Sequence, residues 1–284
     1  MSIERIAVVG AGQMGTGIAQ VAAQAGFTVR LLDVDAALAQ AAVQRINQAL
    51  GAQVKKGKLE ERVQVETVAR ITPIGRFEDL ADSQLVIEAA VESAAIKVEI
   101  FKKAEAATRD DVILASNTSS IPITKLAACT KHPERFIGLH FMNPPPLMRL
   151  VEIIRGLQTS DETAELARAV TSRMGKIIIS ANDMPGFIVN RMLIPFLNEA
   201  CFALQEGLGT PEDIDQGAKL GLNHPMGPLE LADLIGLDTV LYIGEVLHRE
   251  FGDDKYRPPT ILRNHVAAGW LGRKSGRGFY RYPR

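Results

Sequence analysis

Four apolar residues, Ile6-Ala7-Val8-Val9, run directly into Gly10-Ala11-Gly12-Gln13-Met14-Gly15, and no other feature constrains the fold of this chain as much. A strand that ends on G-x-G-x-x-G and opens an alanine-rich helix (Thr16 to Ala25) is the first half of a βαβ unit. A second apolar stretch, Thr28-Val29-Arg30-Leu31-Leu32, completes the unit and stops on Asp33. Each part has a physical task. Gly10 permits the tight turn, Gly12 lets the main chain approach a pyrophosphate, and Gly15 lets helix and strand pack closely. Gln13 and Met14 stand in the same turn and are counted with the glycines as cofactor-binding. The free N–H groups and positive dipole end of the helix receive phosphate charge. Asp33 falls 23 positions after Gly10, where a carboxylate accepts hydrogen bonds from an adenosine ribose. That charge repels a 2′-phosphate, so the segment predicts binding of NAD, with NADP left open.

Apolar strand candidates then keep alternating with helical stretches. Arg70-Ile71-Thr72, Leu85-Val86-Ile87, Val112-Ile113-Leu114-Ala115, Phe136-Ile137-Gly138-Leu139, Leu150-Val151-Glu152-Ile153-Ile154 and Lys176-Ile177-Ile178-Ile179 form the series. This alternation predicts the α/β class, with an N-terminal Rossmann-type doubly wound sheet. It stops at the breaker cluster Asn182-Asp183-Met184-Pro185-Gly186. Beyond the cluster the patterns are helical: Phe187 to about Glu206, a start at Thr210-Pro211, and a long apolar helix from Gly227-Pro228-Leu229 toward Phe251. The expected division is a dinucleotide-binding domain over 1–184 and a second, smaller all-helical domain over 185–284.

Composition excludes several classes of partner. A net charge of −1 over 284 residues offers no basic surplus for nucleic acid or an anionic membrane. No apolar run approaches a bilayer-spanning length, and the first strand leaves no room for a signal peptide, so a cytoplasmic protein is expected. Cys129 and Cys201 fit no metal or redox spacing and read as two small core residues. No histidine pair has ligand spacing with a carboxylate, so no metal is expected.

The residues able to do chemistry gather after the strands, where doubly wound folds place their sites. Ser116-Asn117-Thr118-Ser119-Ser120 follows one strand, and His140 and Asn143 follow the next. Glu152 comes 12 residues after His140, within the next strand. A carboxylate beside an imidazole fixes its tautomer, so the ring can deliver and recover a proton near neutral pH. Reduction of a carbonyl by hydride needs such a donor, because an alkoxide is too basic to form unassisted. It also needs hydrogen-bond donors on the oxygen, and Ser119 and the amide of Asn190 are candidates. The same residues also fit a bland reading as a satisfied histidine and a polar turn, and spacing alone leaves the two even.

Taken together the motifs resemble the short-chain L-3-hydroxyacyl-CoA dehydrogenase family, in its bacterial 3-hydroxybutyryl-CoA branch. The resemblance spans essentially the whole chain. It rests on the glycine turn, Ile87-Glu88-Ala89-Ala90-Val91-Glu92, the serine loop, Gly138-Leu139-His140-Phe141-Met142-Asn143-Pro144, Pro185-Gly186-Phe187-Ile188-Val189-Asn190-Arg191 and Gly272-Arg273-Lys274-Ser275-Gly276-Arg277-Gly278-Phe279-Tyr280. It implies His140 as general acid/base with Glu152 as its partner, and Ser119 and Asn190 on the substrate 3-oxygen. It also implies Glu92, Lys97, Asn117, Asn143 and Lys274 around NAD, and one of Lys55, Lys56 and Lys58, foremost Lys56, on the phosphates of coenzyme A. A homodimer through the helical domain is implied as well. One departure is visible: Met142 and the triproline Pro144-Pro145-Pro146 replace the usual H-F-F-N-P-V/A continuation. Two other readings remain: a related β-hydroxyacid or sugar-acid dehydrogenase, and a non-enzymatic, crystallin-like dinucleotide binder.

Overall fold

The computed structural model describes residues 2–283. Backbone contacts divide the chain into two units, Met1–Met184 and Pro185–Arg284. The first carries strands β1 (Arg5–Val9), β2 (Thr28–Leu32), β3 (Ile71–Ile74), β4 (Leu85–Glu88), β5 (Ile113–Ser116), β6 (Phe136–Phe141), β7 (Leu150–Arg155) and β8 (Ile177–Asn182). Its helices are α1 (Gln13–Gln24), α2 (Ala36–Lys55), α3 (Glu61–Ala69), α4 (Ala94–Ala107), α5 (Ile123–Ala127) and α6 (Asp161–Arg173). The strands form one sheet in the order β3-β2-β1-β4-β5-β6-β7-β8. The order reverses between β1 and β4, and doubly wound sheets open a ligand crevice at that switch point.

Strands covered on both faces must be apolar throughout, and β4 and β5 are buried at every position. Ile6, Val8, Ile18, Phe27, Leu31, Ile87 and Ile137 belong to one core cluster in which α1 lies on the sheet. Each large apolar side chain withdrawn there contributes about 1.5–3 kcal/mol. The sheet is not parallel throughout, as simple alternation suggested. β6 and β7 pair antiparallel, with His140 opposite Glu152. The eight residues between Phe141 and Leu150 are too few for the crossover that a parallel return requires.

The second unit contains α7 (Val189–Gln205), α8 (Pro211–Gln216), α9 (Pro228–Ile235), α10 (Leu237–Phe251) and α11 (Thr260–Ala267). Ile194, Leu197, Leu237, Val240, Leu247, Tyr256 and Leu262 form its core. The expected single helix from Gly227 toward Phe251 is two helices. Gly236 breaks it at φ 103, a left-handed value that ends helical geometry, and a Cβ there would meet Asp238 Oδ1 and Lys274 Nζ at 3.0 Å. Two buried carboxylates organise this unit. Asp215 accepts from the N–H groups of Leu229 (2.8 Å) and Glu230 (2.9 Å), capping α9. Asp233 accepts from the N–H groups of Phe279 and Tyr280 and from the Tyr282 hydroxyl, each at 3.0 Å.

Cys201 is buried, but Cys129 is exposed, against the expectation of two core cysteines. Leu126 and Ala127 take the buried face at the end of α5, which turns Cys129 outward. Among the described residues, no helix is long and apolar enough to cross a membrane.

Candidate active site

The crevice at the switch point is a cavity of about 1000 Å3. Gly10, Gly12, Gln13, Met14 and Asp33 line it, together with Ala89, Ala90 and Val91 from the segment after β4. Gly10 adopts φ 105, and a Cβ on it would stand 2.7 Å from the Ala89 carbonyl oxygen. Gly15 does not line the cavity; it allows close packing of α1 on the Gly10 carbonyl, where a Cβ would collide. A Cβ on Gly12 would meet no protein atom within 4 Å, so open space lies beside this turn. No side chain caps α1, whose N-cap is Gly12, so its first N–H groups keep their capacity for an anion.

Asp33 closes the far side of the turn. Its Oδ2 accepts from Ala11 N–H at 2.6 Å and its Oδ1 from Val34 N–H at 2.8 Å, which fixes the carboxylate at the cavity wall. An uncapped helix end, a space beside Gly12 and an oriented carboxylate suit a pyrophosphate joined to a ribose. Phe77, Ile96, Ile100 and Lys103 extend the wall, and sequence reasoning passed over them. Nothing distinguishes such residues from ordinary amphipathic positions until the helix is docked.

The sheet places His140 and Glu152 in register on adjacent strands, with His140 Nδ1 and Glu152 Oε2 at 2.6 Å. Glu152 is fully buried and His140 is 7% exposed. Nδ1 faces the carboxylate, which orients the imidazole and favours one tautomer of the ring. Asn117 ties the serine loop to this pair, because its Oδ1 accepts from Phe141 N–H at 2.9 Å.

The serine loop hangs on Glu92. Its Oε1 accepts from the hydroxyls of Thr118 (2.6 Å), Ser119 (3.2 Å) and Ser120 (3.0 Å) and from the N–H groups of Ser119 (2.9 Å) and Ser120 (3.1 Å). Burial opposes ionisation of Glu92, but the Lys97 ammonium and the loop donors outweigh it and hold the carboxyl below its ordinary value. Lys97 itself is buried on α4, at 2.6 Å from Glu88 Oε1 and 3.3 Å from Glu92 Oε2. Its charge therefore serves two carboxylates within the protein. Glu88 completes the cluster, accepting from the Ser116 hydroxyl (2.7 Å) and Ala90 N–H (2.7 Å). Sequence reasoning gave Glu88 no role. The available signal was an acid closing the apolar strand Leu-Val-Ile-Glu, the same signal that marked Asp33.

Other expected site residues lie as follows. Asn143 is exposed in the turn after β6, and Lys56 is exposed at the C-cap of α2 with Lys55 and Lys58 beside it. In the helical unit, Asn190 is buried in the first turn of α7, and Lys274 Nζ is 2.7 Å from Asp238 Oδ2. Among the described residues no three His, Cys, Asp or Glu are placed to hold a metal ion.

Fold and cavity define a dinucleotide-dependent dehydrogenase with a histidine–carboxylate pair on the same sheet. The family model described as 3-hydroxyacyl-CoA dehydrogenase, NAD binding domain, matches residues 5–184, and the one described as 3-hydroxyacyl-CoA dehydrogenase, C-terminal domain, matches residues 186–282. The chain belongs to the 3-hydroxyacyl-CoA dehydrogenase family. It is 53% identical over 282 residues to the "Probable 3-hydroxybutyryl-CoA dehydrogenase" of Bacillus subtilis, covering 99% of this chain and 98% of that one. It is 52% identical over 280 residues to the 3-hydroxybutyryl-CoA dehydrogenase of Bradyrhizobium diazoefficiens, covering 99% and 96%. The crystal structure of (S)-3-hydroxybutyryl-CoA dehydrogenase from Ralstonia eutropha superposes with a TM-score of 0.97 at 51% identity, covering 100% of both chains.

Proposed function

We infer that the chain interconverts (S)-3-hydroxyacyl-CoA and 3-oxoacyl-CoA thioesters of short acyl length, foremost 3-hydroxybutyryl-CoA. The observation that carries this reading is the buried His140–Glu152 pair, 2.6 Å apart, in a sheet whose switch point suits a dinucleotide. Bound NAD supplies the hydride acceptor, and NADH the donor. In the oxidising direction His140 Nε2 takes the proton of the 3-hydroxyl as the C3–O bond gains double-bond character. In the reverse direction the imidazolium returns that proton to the carbonyl oxygen. Glu152 holds the ring through Nδ1 and stabilises the imidazolium while it exists. Ser119 and Asn190 hydrogen-bond the 3-oxygen, and Glu92 keeps the serine loop in place.

Asp33 directs the preference to NAD, with Asn143 and Lys274 on the cofactor and Lys56 on the phosphates of coenzyme A. The protein works in the cytoplasm as a homodimer built on the helical unit, where Met192, Leu208, Leu220 and Leu222 stand exposed.

The test follows absorbance at the reduced-nicotinamide band with acetoacetyl-CoA, using NADH and NADPH in turn and free acetoacetate as control. Consumption of NADH with the thioester alone is expected. Turnover of free acetoacetate would transfer the chain to hydroxyacid chemistry. His140→Ala is expected to keep NADH binding and lose about 10^2–10^4-fold in turnover, the usual scale of general acid–base catalysis. Near wild-type turnover in that variant would remove His140 from the mechanism.

A further inference from the structure

The loop that joins β6 to β7 carries the triproline, and it is held from two sides. Of residues 142–149 only Pro145 is buried. Its ring and that of Pro146 press on Gly17 in α1, where a Cβ would come within 2.8 Å of Pro145 Cδ, 2.9 Å of Pro145 Cγ and 3.0 Å of Pro146 Cδ. Such distances cannot be met without movement, and a proline ring has little freedom to move aside. On the other side, Lys176 Nζ donates to the carbonyls of Pro145 (2.6 Å) and Met148 (2.9 Å). Three consecutive prolines offer no N–H groups, so the loop's own hydrogen bonds are limited to Leu147 and Met148 N–H on the Pro144 carbonyl, both at 3.0 Å. Lys176 supplies the attachment that the loop cannot make for itself.

This contact joins two parts that the sheet keeps apart. The helix α1 starts at the turn suited to the pyrophosphate, whereas the hairpin β6–β7 carries His140 and Glu152. β4 and β5 lie between β1 and β6, a span of about 14 Å at the usual strand spacing. Through the sheet alone, helix and hairpin would be linked only across two intervening strands. We propose that the seat of Pro145 and Pro146 on Gly17, locked by Lys176, is a spacer that sets the distance between the dinucleotide helix and the His140 hairpin. Gly17, Pro145 and Lys176 are then positioning residues for proton delivery, and the proposal rests on His140 as the acid/base.

The test uses the full chain with NADH and acetoacetyl-CoA. Gly17→Ala is expected to lower kcat about tenfold or more, since small misplacement of reacting groups is costly. NADH affinity without substrate is expected to hold, because the turn at Gly10 to Gly15 is untouched. Its Tm is expected to fall somewhat, because the clash outweighs the gain from alanine as the better helix former. The kcat is therefore compared well below the transition, where retained NADH affinity separates the spacer from simple destabilisation. Pro145→Ala makes room for the new methyl, and the effect of Gly17→Ala should shrink in that background. Lys176→Met is expected to lower kcat with NADH affinity retained, and Lys176→Arg to recover it. Should Gly17→Ala fail to fold, the two Lys176 variants decide. Wild-type kcat in Gly17→Ala or Lys176→Met, or a Gly17→Ala effect of equal size with and without Pro145, overturns the spacer. Absence of activity in the unmodified chain overturns the reading of His140 instead, and is recognised because every variant shares it.

Discussion

At the scale of single residues, burial and partner decide what each charged group does. Lys97 sits in Ala-Ala-Ile-Lys-Val-Glu-Ile-Phe-Lys-Lys, where a lysine every few positions looks like a solvated helix face. It is buried because Glu88 and Glu92 compensate its charge, and neither partner is adjacent to it in sequence. A buried ammonium without carboxylates would be expelled or deprotonated. Glu92 gives a pH test. Its folded carboxyl lies below the ordinary 4.5, despite burial, because of Lys97 and the loop hydroxyls and amides. A depressed value means that its contribution to stability is complete above the unfolded pKa and is lost as pH falls through the folded one. Urea midpoints of wild type and Glu92→Gln are therefore expected to differ near neutral pH and to converge as the solution is acidified below the ordinary carboxylate range. A gap that stays constant over that range would show that its charge contributes nothing.

At the scale of elements, the strands and the first helix were legible because their signals are local. β1, the glycine turn, α1 and β2 follow from an apolar run, a G-x-G-x-x-G and an Ala-rich stretch. The antiparallel return of β7 and the break at Gly236 were not legible, since both depend on where the chain must go next. In the helical unit the C-terminal segment is fastened to Asp233 rather than held by a helix of its own. Burial pushes the Asp233 carboxyl above its ordinary value, against the opposing pull of the Tyr280 and Phe279 amides and the Tyr282 hydroxyl. The three donors would be left without their acceptor in Asp233→Ala, so a loss of about 3 kcal/mol is expected. Chemical denaturation of that variant measures it, and a change within about 0.5 kcal/mol, the range of ordinary surface substitutions, would mean that the segment is anchored elsewhere.

At the scale of the whole molecule, assembly is the property to measure first. Light scattering on the eluting protein is expected to give twice the 30.8 kDa of one chain. Substituting Met192 and Leu222 by Glu places charge on exposed apolar positions of the helical unit, and is expected to lower that mass toward one chain. A single-chain mass for the unmodified protein would end the dimer. The sequence by itself determined the dinucleotide turn, the acid that closes it, the change from alternating to helical pattern near Met184, and the set of polar residues available for chemistry. These are read from local periodicity and from glycine geometry, which act over a few residues. Only the tertiary structure decided that His140 faces Glu152 across an antiparallel pair, that Lys97 and Glu88 support the serine loop from inside, and that Pro145 rests on Gly17. Those pairings follow from strand register and from the exclusion of water at contacts between residues far apart along the chain, and neither is encoded in any one segment.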